Sequence, residues 1–179
     1  KISISGPGTG LLTIGGMNSP NLFDIQTEAV LSNLTLTNNS QGVTGGFSIL
    51  SSGQLELNQI SIANVTVPQS IALFQNGGSA FLNNSVIGNP IQVGNQANVT
   101  INGGLISNPF SVASGNNVTI QNYAQPLSFG PVNTNNLHVH LISGSISQIT
   151  TSNIAVSGTA NLIAPGNSIS LLNNTNDFN

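Results

Sequence analysis

The chain has no cysteine, no tryptophan and one basic residue, Lys1. Without cysteine there are no disulfides and no thiolate metal ligands, and the redox compartment stays open. Charged residues make up 3% of the 179 positions, against about 25% in ordinary globular proteins. The acids are Asp24, Glu28, Glu56 and Asp177. A net charge of −3 with a single lysine cannot neutralise a run of phosphates, which argues against nucleic acid. The same shortage argues against an anionic membrane surface. No stretch approaches the roughly 18 apolar residues of a membrane-spanning helix. No charged segment followed by an apolar one opens the chain, so a signal peptide is absent or already removed. The strand-like opening KISIS reads as part of a mature piece cut from something longer.

What remains is rich in Val, Ile, Thr, Ser, Asn and Gly, residues that suit strands and turns. Apolar residues reach 38%, enough for a core, and disordered chains carry more charge and fewer β-branched residues. Triplets of apolar-x-apolar recur at 12–14, 29–31, 55–57, 80–82, 99–101, 118–120, 137–139, 154–156 and 169–171. The steps between them are 17, 26, 25, 19, 19, 19, 17 and 15 residues. The tetrapeptide NVTI occurs twice at the 19-residue step, 98–101 and 117–120. A second column holds 23–25, 47–49, 71–73, 91–93, 110–112 and 127–129, and a weaker third holds 34–36, 60–62, 85–87, 104–106 and 160–162.

Each unit is thus three short period-2 strands separated by Gly, Asn, Ser or Pro turns. Such strands are too short to stand as hairpins, but stacked in parallel each pairs with its neighbour about 4.8 Å away. The expected fold is all-β: a right-handed, single-stranded parallel β-helix with three sheets and about nine coils of 15–26 residues. Residues 1–179 form one domain, with 1–11 as an N-terminal cap and 172–179 as a polar tail. Phe23, Phe47, Ile71, Ile91, Phe110 and Leu127 are expected to make one inner stack. Asn58, Asn83, Asn102 and Gln121 end successive strands and are expected to form a ladder of amides. Longer early turns, 37–46 and 64–70, read as insertions on one face. Shorter C-terminal steps predict a taper.

With the strand pattern, the rung length and the Asn column in view, residues 12–171 resemble the right-handed parallel β-helices of the pectin-lyase-like superfamily. That superfamily includes pectate lyases, polygalacturonases and tailspike glycosidases. The resemblance implies basic residues and calcium-holding acids for the lyases, and clustered carboxylates for the hydrolases. Lys1 alone does not supply the first. Asp24, Glu28 and Glu56 are the one surface acid cluster available for the second, and Asp24 and Glu56 fall in different sheets. The expectation is therefore a non-enzyme without cofactor or metal.

Other motifs carry less. His138 and His140 share a strand face but lack a third zinc ligand nearby. GPGTG at 6–10 lacks the Lys and the helix of a phosphate loop. An ice-binding threonine array on the outward column is broken by Glu56, Phe81 and His138. Seven glycosylation sequons (at Asn33, Asn38, Asn64, Asn83, Asn98, Asn117 and Asn173) are about what 28 asparagines give by chance. The composition is similar to autotransporter passengers, which are Cys-free, mildly acidic and rich in Gly, Asn, Ser and Thr. The expectations are an extracellular or cell-surface stalk or adhesin that engages a host surface or glycan. The alternatives are a filament or surface-layer subunit associating end to end, and a carbohydrate-active enzyme.

Overall fold

A computed structural model describes residues 1–16, 23–38, 47–49, 53–62, 71–74, 78–87, 91–94, 96–106 and 109–179. Every regular element among them is a strand, and every strand pairing is parallel. No helix among the described residues is long and apolar enough to cross a membrane.

The chain is a parallel β-solenoid. On its first face Ile2–Ser5, Glu28–Ser32, Gln54–Asn58, Ser79–Asn83 and Ala97–Asn102 pair in succession. The stack continues through the later parts of Phe110–Tyr123 and Leu127–Leu141 to Ala160–Ile163. Alternation places residues i and i+2 inside. Ala29, Leu31, Leu55, Leu57, Ala80, Leu82, Val99, Ile101, Val118, Ile120, Leu137 and Val139 are all buried. Burial of this aliphatic column, coil upon coil, is what short strands with no hairpin partners can use to fold.

The second face is short: Thr13–Gly16, Thr35–Asn38, Ser61–Ile62, Val86–Ile87 and Leu105–Ile106. After Ser32, Asn58, Asn83 and Asn102 it follows the first face across two residues, the first of which turns the corner. Asn33, Gln59, Asn84, Gly103 and Asn122 occupy that corner with φ of 54°, 52°, 48°, 66° and 53°. This left-handed conformation favours Gly and Asn, which explains the small polar residue after each triplet. The corners are tied to their neighbours by backbone bonds, such as Asn84 N–H to the Asn102 carbonyl (2.9 Å) and Gly103 N–H to that of Gln121 (2.9 Å).

The third face pairs Phe23–Ile25 with Phe47–Ile49, and Ile71–Phe74 with Ile91–Val93. It runs on through the starts of Phe110–Tyr123 and Leu127–Leu141 to Ile146–Gln148 and Ile169–Ser170.

The coils differ from the sequence reading in four ways. The coil count differs from the nine expected for the whole solenoid: among the described residues the second face has five strands, about five turns. Three triplets change column. Residues 12–14 belong to the second face, while 154–156 pair with 132–134 and 169–170 with 146–147. Their places on the first face are taken by Ile2–Ser5 and Ala160–Ile163. The coil does not taper. Leu137 pairs with Ala160, Ile146 with Ile169 and Ala155 with Asp177, steps of 23, 23 and 22 residues. Finally, both ends are courses of the stack. Ile2–Ser5 pairs with Ala29–Ser32 at one end of the described stack, and Asp177–Phe178 pairs with Ala155–Val156 where a tail was expected. Asn176 anchors this last course, its Oδ1 accepting from the Ile154 N–H (2.9 Å) and from Gln148 Nε2 (2.8 Å). Of the insertions at 37–46 and 64–70, residues 39–46 and 64–70 lie outside the described residues.

The inner stack of the third face also shifts. Phe110 stands in register with Phe129, not Leu127, and their rings meet edge to face with centroids 6.4 Å apart. Leu127 aligns instead with Ile146. Two apolar residues at i and i+2 had equal claims to the column, and only the strand start decides between them. Phe23 is half-buried, Phe110 and Leu127 are fully buried, and for Phe47, Ile71 and Ile91 the description stops at the backbone.

Candidate functional site

Polar side chains on the first face are arranged in rows, because residues in register repeat at every coil. Asn58, Asn83, Asn102 and Gln121 share one row. Asn83 Nδ2 donates to Asn58 Oδ1 (2.8 Å), and Asn102 Nδ2 donates to Asn83 Oδ1 (3.4 Å). The next donor is Asn122 rather than Gln121: its Nδ2 reaches Asn102 Oδ1 at 2.7 Å. Gln121 keeps the backbone register, but the left-handed corner turns the following, shorter amide back over the coil below.

A second row went unread in the sequence. Asn117 Nδ2 donates to Asn98 Oδ1 (2.8 Å), and Asn136 Nδ2 donates to Asn117 Oδ1 (2.8 Å). Asn136 Oδ1 then accepts from the Thr159 N–H (2.9 Å). Beside it, Asn116 Nδ2 donates to Asn98 Oδ1 (3.1 Å) and Asn135 Nδ2 to Asn116 Oδ1 (3.4 Å). The signal was present: asparagine recurs at 98, 117 and 136, at the 19-residue step. The sequon asparagines Asn83, Asn98 and Asn117 are therefore rungs of these ladders. Asn173, another sequon position, donates its Nδ2 to the Ser152 carbonyl (2.6 Å). Asn64 lies outside the described residues, and of Asn38 only the backbone is described.

The acids do not converge as a trio. Asp24 is exposed on the third face, where Gln26 Nε2 donates to it at 3.4 Å. Glu28 pairs with Lys1 Nζ at 2.7 Å, which raises the lysine pKa through the hydrogen bond and the charge of Glu28. Glu56 stands two residues before the amide row on the same outer surface, its Oε1 accepting from Asn58 Nδ2 (3.1 Å) and Asn83 Nδ2 (3.5 Å). Glu28 and Glu56 border one small hollow of about 70 Å³ together with Val30, Gln54 and the exposed ring of Phe81. His138 and His140 are both exposed, in register with Asn161 and Ile163. Among the described residues no three His, Cys, Asp or Glu side chains are grouped to hold a metal.

Ser85, Thr134, Ser152 and Tyr123 are polar residues buried among the described residues, and the Ser85 and Tyr123 hydroxyls each tie several groups together. The Ser85 hydroxyl is buried, directed at the Leu57 and Asn83 carbonyls (3.1 and 3.2 Å), and accepts from the Ile60 N–H (3.2 Å). The Tyr123 hydroxyl, also buried, donates to the Ile106 carbonyl and accepts its N–H, both at 3.4 Å. Burial pushes the Tyr123 pKa up, with the Ile106 hydrogen bond opposing.

These features define a parallel β-solenoid whose surface amides join coil to coil. Residues 115–179, the region of the later and wider coils, match a family model described as Repeats of unknown function (DUF5649). No curated protein and no solved structure matches the chain.

Proposed function

We propose that this chain is a non-enzymatic structural module of the cell surface, a rigid stalk or adhesin segment built as a right-handed helix of the pectin-lyase-like kind. One observation carries the reading: two of the three candidate acids, Glu28 and Glu56, are engaged in bonds between coils. Glu56 is held by Asn58 and Asn83, and Glu28 by Lys1. The first face pairs strand to strand from Ile2 to Ile163, with register shifts at Ala97/Val99 and Gln121/Tyr123, so among the described residues eight strands stack over roughly 34 Å. A shaft of this kind projects a surface rather than closing around a substrate.

The test is display. Antibody against the purified chain should stain intact source cells as strongly as permeabilised ones. Staining that needs permeabilisation overturns the reading. Turnover of polygalacturonate or another glycan that vanishes in Asp24→Asn would restore the enzyme.

A filament subunit is the second reading, favoured by Ile163, Ile169 and Phe178, which are 39%, 45% and 43% exposed on the last courses. Electron microscopy of the purified chain separates the two. Long polymers support the filament, and monodisperse particles support the stalk.

A further inference from the structure

The corner between the first and second faces opens into a groove of about 710 Å³. Its floor is the row Asn33, Gln59 and Asn84, flanked by Thr35, Ser61 and Val86 of the second face. The arm at 8–10 walls one end. That arm is tied down by Gly8 N–H to the Asn33 carbonyl (3.0 Å) and Gly10 N–H to Thr35 Oγ1 (3.1 Å). Every lining residue is uncharged.

The three corner amides differ from the ladder amides one residue earlier. Asn58 and Asn83 are bonded to each other, whereas the side chains of Asn33, Gln59 and Asn84 make no hydrogen bond among the described residues. Asn84 Oδ1 lies over Gly103, 2.5 Å from where a Cβ would stand, so the next corner leaves the space that this amide uses. The result is a row of free donor–acceptor pairs, one per coil at about 4.8 Å, beside hydroxyls and the 44%-exposed Val86.

We propose that this groove binds an extended neutral polysaccharide. Sugar hydroxyls both donate and accept, as amides do, and a repeating chain of them meets a repeating row of amides. The C–H face of a sugar ring can lie on Val86. An anionic polymer finds no cation in the lining. A peptide strand finds no free sheet edge there, because Thr35 and Ser61 lie in strands paired on both sides. This site deepens the adhesive reading by naming its ligand class, and it rests on that reading only for its biological use.

The experiment is affinity electrophoresis of the purified chain through gels cast with β-glucan, xylan, mannan or α-glucan, with polygalacturonate as the acidic counterpart. The wild-type chain should be retarded by at least one neutral polymer. The double variant Gln59→Gly, Asn84→Gly removes both amides while giving each left-handed corner its preferred residue, so folding is kept. It should bind about tenfold more weakly, the loss of one or two neutral hydrogen bonds. Asn122→Gly, in the same corner row outside the groove, should bind as wild type. Free passage through every neutral gel overturns the proposal. So does retardation by polygalacturonate alone, or retardation that survives in the double variant. Failure in the gel leaves surface display standing, and failure of cell staining leaves the groove standing.

Discussion

Asn117→Ala tests whether the amide rows hold this solenoid together. The side chain makes two hydrogen bonds of 2.8 Å, donating to Asn98 and accepting from Asn136. Its neighbours are not abandoned when it goes. Asn98 Oδ1 still accepts from Asn116 Nδ2, and Asn136 Nδ2, which loses its acceptor, is only half-buried and can turn to water. The cost is therefore that of the bonds themselves, without a buried orphan. A net neutral hydrogen bond contributes about 0.5–1.5 kcal/mol, and Asn117 is exposed, so water replaces part of it. The expected loss is about 1–1.5 kcal/mol for the pair. Urea unfolding should read this as a midpoint lowered by roughly half a molar at an ordinary slope. The control is Thr119→Val, which removes the same sequon, keeps a β-branched residue in the strand and leaves both bonds. It should unfold within about 0.5 kcal/mol of wild type. If the midpoints of Asn117→Ala and Thr119→Val coincide, the ladder contributes nothing to stability and the reasoning fails.

Three further outcomes follow from buried groups and tight corners. Tyr123→Phe leaves the Ile106 N–H and carbonyl without the hydroxyl and should cost about 1–3 kcal/mol by denaturant unfolding. Because the folded-state pKa of Tyr123 is raised, its contribution is complete below the unfolded value near 10 and is lost as pH rises through the folded one. The wild type should therefore lose an increment of stability above about pH 10 that Tyr123→Phe lacks. Gly104→Ala puts a Cβ 2.7 Å from the Ser85 backbone nitrogen at φ +80° and should lower the melting temperature sharply. Gly166→Ala, with φ +69° and open space around it, should cost only the conformational penalty of about 1–2 kcal/mol. Phe110→Ala removes a fully buried ring against Phe129 and should cost about 3–5 kcal/mol, most of which Phe110→Leu restores.

The solenoid was legible because period-2 triplets in a chain this poor in charge leave few ways to bury both apolar members. The column assignments were less legible, and for a definite reason. An apolar-x-apolar triplet looks the same on every face of a coil, so residues 154–156 and 169–171 could be placed on the wrong one. What distinguishes the first face is the pair of residues that ends it. These are Asn58-Gln59, Asn83-Asn84, Asn102-Gly103 and Gln121-Asn122, where the second must accept a left-handed backbone. Residues 154–156 are followed by Ser157-Gly158, a pair able to end a strand in the same way, although Gly158 does not adopt the left-handed conformation, so the pair alone did not exclude this triplet. The second amide row was hidden by its own repetition. Asn98 and Asn117 precede the same Val-Thr, so they presented themselves as sequons, and only the register with Asn136 shows them as rungs. The groove at Asn33, Gln59 and Asn84 was not legible, since it depends on which amide of each pair turns outward.

The scarcity of charge follows from the same geometry. Side chains in register stand one strand spacing apart in every coil, so a charged column would set like charges about 4.8 Å from both neighbours. Each such contact costs about 1 kcal/mol in water and about 3–4 kcal/mol at the effective dielectric of a protein surface. Repeated over eight strands, that penalty would outweigh the net gain of the amide bonds it displaced. An amide avoids it, because it donates to the coil below and accepts from the coil above with the same group. The two carboxylates within the first-face rows are consistent with this: Glu28 stands in register with the uncharged Gln54 and pairs with Lys1. Glu56 stands in register with Val30 and Phe81 and takes its hydrogen bonds from Asn58 and Asn83. A change that gives it a like-charged neighbour, Phe81→Glu, should destabilise the stack at neutral pH, with part of the loss recovered in acid. Phe81→Gln supplies the control for lost ring contacts. A pH-independent difference between those two variants would show that like-charge repulsion does not limit charge on this face.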